Sequence, residues 1–185
     1  MNCYYSNLIE GRYTSGGHRA GAQKTITVRT PANATCNLKP RRIAVQQWID
    51  EGGLKGGLSI KVEGIREIHR RFYASLPEDL LWVEDAATKQ RVHVVPGELR
   101  KRDVQVGNHV AVSPGALPRF LERFAQVYGN VGKTESILST AAAHHRLLWI
   151  HPFMDGNGRV ARLMSHSMML DTRGFGPFRA ASRAT

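Results

Sequence analysis

Pro152 is the residue that most constrains how this chain can fold. A helical apolar pattern runs from Thr134 to Ile150, and a second runs from about Val160 to Leu170. The proline ring forbids continuation of the first helix and drives the residue before it, His151, out of the right-handed helical region. The chain must therefore break at His151, leave that imidazole at the end of the long helix, and re-enter a helix just after Gly158. Phe153 can bury and anchor the connection. Gly156-Asn157-Gly158 lets the backbone approach a ligand closely, and its N–H groups at the start of the next helix form a natural anion site.

The side chains around this break carry compatible chemistry. His151 can act as a base. Asp155 is a hard oxygen ligand suited to Mg²⁺. Arg159 and Arg162 are three apart on the following helix and can project toward one anion. A base, a metal ligand, a phosphate cradle and two guanidiniums within twelve residues make a phosphoryl-transfer constellation. The bland alternative is a Gly-rich turn beside a chance histidine. It requires nine fixed positions to coincide, on the order of 10⁻¹² per start point at average residue frequencies.

The stretch His151-Pro-Phe-Met-Asp-Gly-Asn-Gly-Arg159-x-x-Arg162 closely resembles the signature of the Fic family, His-Pro-Phe-x-Asp/Glu-Gly-Asn-Gly-Arg-x-x-Arg. The likeness extends upstream through Ala141 to Ile150. It takes in Pro96-Gly-Glu-Leu-Arg100 and Val104-Gln-Val-Gly-Asn-His109, which look like the family's substrate-holding flap. In all it covers about Ile43 to Leu170. The resemblance implies a mainly α, Fic-type helical domain with a small β-hairpin flap beside the active-site loop. It implies a protein adenylyltransferase that moves AMP from ATP to a Tyr, Thr or Ser hydroxyl. In that scheme His151 takes the hydroxyl proton and Asp155 holds Mg²⁺ on the ATP phosphates. Gly156, Asn157 and Gly158 cradle the phosphates, Arg159 and Arg162 neutralise the leaving pyrophosphate, and Val104, Gln105 and Val106 hold the target. The related Doc kinases have Lys where this chain has Gly158, which favours AMP transfer.

At the other end, Ser6-Asn-Leu-Ile-Glu10-Gly11 looks like the inhibitory motif Ser/Thr-x-x-x-Glu-Gly/Asn of self-inhibited members. A Glu10 carboxylate on Arg162 would form a bidentate pair and occupy the guanidinium that the γ-phosphate needs. Two rivals stay open: removal of AMP by the same loop, and a disrupted copy acting as a non-enzymatic regulator.

The formal charge of +11 suggests nucleic acid, but its distribution argues against that partner. Seven Lys/Arg and no acid lie between Gly11 and Ile49, three more follow Asp171, and Ile43 to Asp171 is close to balanced. Nucleic-acid domains carry their charge on a folded face. Here it lies in the segments with least pattern. The expected organisation is an inhibitory segment over 1–13, an irregular basic segment over 14–42, the catalytic core over 43–171 and an irregular tail over 172–185. A local change of reading frame produces such a shift in composition. A flexible insertion is the rival.

No apolar run reaches the roughly 20 residues of a membrane span, and the start has no signal-peptide pattern, so a cytoplasmic protein without membrane contact is expected. Cys3 and Cys36 read as free thiols, and a homodimer is left open. Within the core, Ile60, Gly64, Ile65, Ile68 and Phe72 predict one buried helical stripe, and Phe120, Leu121, Phe124 and Val127 another. One hairpin is expected around Gly107-Asn108. His144 and His145 read as structural, the methionines at 164, 168 and 169 as core, and Trp48, Trp82 and Trp149 as packing residues.

Overall fold

The structure, a computed structural model, describes residues 34–84, 90–129 and 135–173. The proposed inhibitory residues Ser6 and Glu10, most of the basic segment and the end of the tail lie outside them. Five α-helices organise the described residues: α1 (Ala34–Asp50), α2 (Val62–Ala74), α3 (Leu117–Tyr128), α4 (Ser136–Ile150) and α5 (Asn157–Arg173). Between α2 and α3 lie two antiparallel strand pairs. In the first, β1 (Trp82–Glu84) pairs with β2 (Arg91–His93); in the second, β3 (Gln105–Val106) pairs with β4 (His109–Val110). None of these helices is long and apolar enough to cross a membrane.

Helix α5 is central, packing against α4 along its length and also touching α1 and α2. Its core face is Val160, Ala161, Leu163 and Met164, set against Ala143, Leu147 and Ile150 of α4 and Ile65, Ile68 and Phe72 of α2. His166 of α5 bonds Asp50 at 2.6 Å, tying α1 to the same layer. On α2, the Gly64 backbone meets the 3₁₀ turn Leu58–Ile60 so closely that a Cβ would fall 1.9 Å from the Leu58 carbonyl oxygen. That position admits only glycine.

Several elements depart from the sequence expectation. Helix α1 begins at Ala34, inside the segment read as irregular, because a helical backbone does not require an apolar period. Helix α5 begins at Asn157 rather than Val160, since Gly156 already accepts the Val160 N–H at 3.0 Å and so opens the first turn. The strand pair β1–β2 was not expected. Each strand is only three residues long, and of β1 only Val83 is buried, too little for a period-two pattern to register. On α3 the buried stripe is Leu117, Leu121 and Phe124, and Val127 faces solvent. Trp48 packs partly buried beneath the Arg71 guanidinium, whereas Trp82 and Trp149 stand largely at the surface. The expected hairpin is present, turning at Gly107 with φ 59° and pairing Gln105 with Val110 and Val106 with His109.

Candidate active site

The break at Pro152 is built as a left-handed cap. His151 has φ 53° and ψ 63°, and is the one non-glycine residue with positive φ among those described. Its N–H closes onto the Leu147 carbonyl at 2.9 Å. Left-handed geometry costs a β-carbon residue about 1–2 kcal/mol, so something must hold it. Arg100 does. Its Nε donates to the His151 carbonyl at 2.7 Å, and its own N–H donates to the Pro152 carbonyl at 2.9 Å.

Beyond Pro152 the loop is latched from within. The Asn157 side chain accepts the Phe153 N–H at 2.9 Å and donates to the Phe153 carbonyl at 2.8 Å, while the Phe153 ring is wholly buried. Gly156 follows with φ 79°, and its backbone lies against the Tyr73 ring: a Cβ there would come within 2.7 Å of the Tyr73 hydroxyl. Both constraints call for glycine.

Asp155 sits over this floor. Tyr73 donates its hydroxyl to Oδ2 at 2.6 Å, and Arg159 donates to the same oxygen at 2.8 Å. Burial pushes the pKa of this carboxyl up, but the Arg159 charge, the Tyr73 hydroxyl and the Gly156 N–H outweigh it and hold it below the usual carboxylate range. The Arg159 guanidinium lies over the faces of Phe72 and Tyr73, 4.9 and 5.3 Å from their ring centres. Arg162, one turn on, is half-buried and lies close enough to His144 to depress that ring's pKa, together with the larger effect of burial. His144 also bonds Ser165 at 3.1 Å, and His145 is exposed.

His69 completes the support and was not singled out from sequence. Its imidazole is stacked between Tyr73 and Phe153, with ring centres 4.3 and 4.0 Å apart. Nδ1 accepts the Gly97 N–H at 2.8 Å, so the ring proton lies on Nε2 and points to the Asp155 carbonyl at 3.2 Å. Burial pushes its pKa down to about 4, so the ring is neutral and joins the Pro96-Gly97 turn to the loop. The available signal was a histidine and a tyrosine within the apolar stripe of α2, which marks polar groups turned inward.

His151 is half-buried, and burial likewise lowers its pKa to about 4, with Arg100 and His109 adding to the effect. The Leu148 carbonyl favours the protonated ring, but burial outweighs it, and a neutral imidazole keeps one nitrogen as an acceptor. The β3–β4 hairpin stands beside it. His109 bonds the Trp149 carbonyl at 2.8 Å, and Val106 and Val110 are 49% and 57% exposed. Val104 is only 2% exposed and its carbonyl accepts the Ala111 N–H at 3.0 Å, so its side chain is core; Gln105 and Val106 reach the surface. His151, Asp155, Gly156, Asn157, Gly158 and Arg159 thus gather at the α4–α5 junction, with Arg162 one turn along α5.

A half-buried left-handed histidine, a paired carboxylate and a helix start thus meet on one short loop of an α-helical domain. The Fic/DOC family profile matches residues 59–169. The chain belongs to the Fic/DOC family. It is 30% identical over 118 residues to the protein adenylyltransferase Fic of Drosophila erecta, a match covering 61% of this chain and 20% of that one. It therefore spans about a fifth of the length of the curated relatives it matches. Among solved structures, a Fic domain-containing signaling protein from Bacteroides thetaiotaomicron superposes with a TM-score of 0.59 at 21% identity, over 94% of this chain and 62% of that one. Fic-1 from C. elegans (residues 134–508) superposes with a TM-score of 0.54 at 24% identity, over 82% and 41%. The helical fold is theirs.

Proposed function

We propose that this chain transfers AMP from ATP to a hydroxyl of a protein target and releases pyrophosphate. The observation that carries the reading is His151: a half-buried, neutral imidazole with one acceptor nitrogen, held at the end of α4 four residues before Asp155. The hydroxyl oxygen bonds to the α-phosphorus as the bond to the β-bridging oxygen breaks, and its proton passes to His151. A base with a pKa near 4 suffices, since phosphoryl-type transition states demand little deprotonation of the nucleophile. The Drosophila relatives' name, protein adenylyltransferase, and Gly158 in place of the Doc lysine support AMP rather than phosphate as the group moved.

ATP with Mg²⁺, and a cytoplasmic location, belong to the same proposal. Among the described residues no cluster of three or more His, Cys, Asp or Glu could hold a metal. One carboxylate, Asp155, fits an ion carried largely by phosphates and water, which would supply charge neutralisation there. The Asn157 side chain is committed to Phe153, so its share of a phosphate cradle would come from main-chain N–H groups. Self-inhibition through Ser6 and Glu10 rests on the motif alone.

The test is transfer of label from ATP to protein. Label at the α-phosphate should transfer, label at the γ-phosphate should not, and His151→Ala should abolish transfer because its acceptor nitrogen is lost. Undiminished labelling by His151→Ala would overturn the assignment.

A further inference from the structure

Arg100 is a cation buried to 3% exposure, and its partners are main-chain carbonyls rather than a carboxylate. Nε donates to His151 O at 2.7 Å and Nη1 to Arg102 O at 2.7 Å. Nη2 donates to Val112 O and lies 3.5 Å from Ile150 O. These acceptors fall into two sets. Arg102 and Val112 are the two feet of the β3–β4 hairpin, outside its paired residues, and Ile150 and His151 are the end of α4. The rigid fork of a guanidinium can bond several acceptors at fixed spacing, which a lysine cannot. The last carbonyls of a helix also carry its negative end, where a cation is favoured.

We propose that Arg100 is a positioning residue that sets the distance between the hairpin and His151, and so selects a hydroxyl presented on the hairpin over water. The inference rests on the AMP-transfer reading. A protein hydroxyl must be delivered in register with the His151 acceptor nitrogen, and the hairpin's exposed valines and strand edges are where an extended segment could pair. Water needs no such delivery. Two reactions therefore compete at one site. In one, ATP and a protein hydroxyl give the AMP ester and pyrophosphate. In the other, ATP and water give AMP and pyrophosphate. Both use His151; only the first uses the spacing that Arg100 fixes.

The measurement is the ratio of protein-linked AMP to free AMP formed from α-labelled ATP by the full chain with one target protein. This ratio does not depend on how much of a variant is folded. Arg100→Met should lower it by about 10- to 100-fold, the scale set by a misplacement of about 1 Å. Arg100→Lys, which keeps the charge but not the fork, should fall between, and the KM for ATP should change little. Both rates falling together at a constant ratio would overturn the proposal. A second measurement needs no nucleotide, and so separates this inference from the AMP-transfer reading. Amide hydrogen exchange in Arg100→Lys should speed up together at the hairpin and at His151 to Phe153, with α2 and α3 unchanged. Faster exchange at the hairpin alone would show that Arg100 does not link the two.

Discussion

Replacing Asn157 by alanine removes both ends of the latch on Phe153. The bonds are 2.9 and 2.8 Å long and buried, and Asn157 itself is 3% exposed, so neither Phe153 main-chain group finds water as a ready substitute. Each orphaned buried group costs about 1–3 kcal/mol, and partial relaxation of the loop brings the pair to about 2–4 kcal/mol. For a domain of this size that lowers the thermal midpoint by roughly 4–16 °C. Asn157→Asp separates the two bonds: its carboxylate still accepts the Phe153 N–H but faces the Phe153 carbonyl with a second acceptor. It should therefore be no more stable than Asn157→Ala at neutral pH. The assay is thermal unfolding without nucleotide, followed by urea titration. If Asn157→Ala unfolds within about 1 °C of wild type and loses only ATP affinity, the side chain serves the phosphate and the latch argument is wrong.

Two further outcomes follow from the same site. Gly156→Ala should destabilise by about 2–4 kcal/mol in urea titration, because a β-carbon at φ 79° is strained and meets the Tyr73 ring at 2.7 Å; an unchanged midpoint would refute that contact. His69 and His151 have folded pKa values lowered to about 4, so the unfolded chain binds their protons first and stability falls as pH drops from about 6.5 to 4. The loss is on the order of 3 kcal/mol for each; His69→Gln should flatten the profile over that window, and an unaltered slope would count against its buried, neutral state.

The loop between α4 and α5 was legible in the sequence because its constraints are local. Pro152 ends α4 wherever the helix packs, Gly156-Asn157-Gly158 reopens the chain, and Arg159 and Arg162 follow at fixed helical spacing. The same is true of the α2 stripe from Gly64 to Phe72, whose apolar period needs no partner to be read, although Ile60, expected on the same helix, lies in the 3₁₀ turn before it. What fell outside that reach depends on residues far apart in sequence. His69 touches Gly97 and Asp155, Tyr73 holds Asp155, and Arg100 reaches both Val112 and His151. No spacing rule links these positions. Packing alone brings α2, the flap and the α4–α5 junction within hydrogen-bond range. Asn157 marks the boundary between the two kinds of information: the sequence placed it in a phosphate cradle of main-chain N–H groups, while only the tertiary structure shows its side-chain amide bonded to Phe153, whose buried N–H and carbonyl need partners.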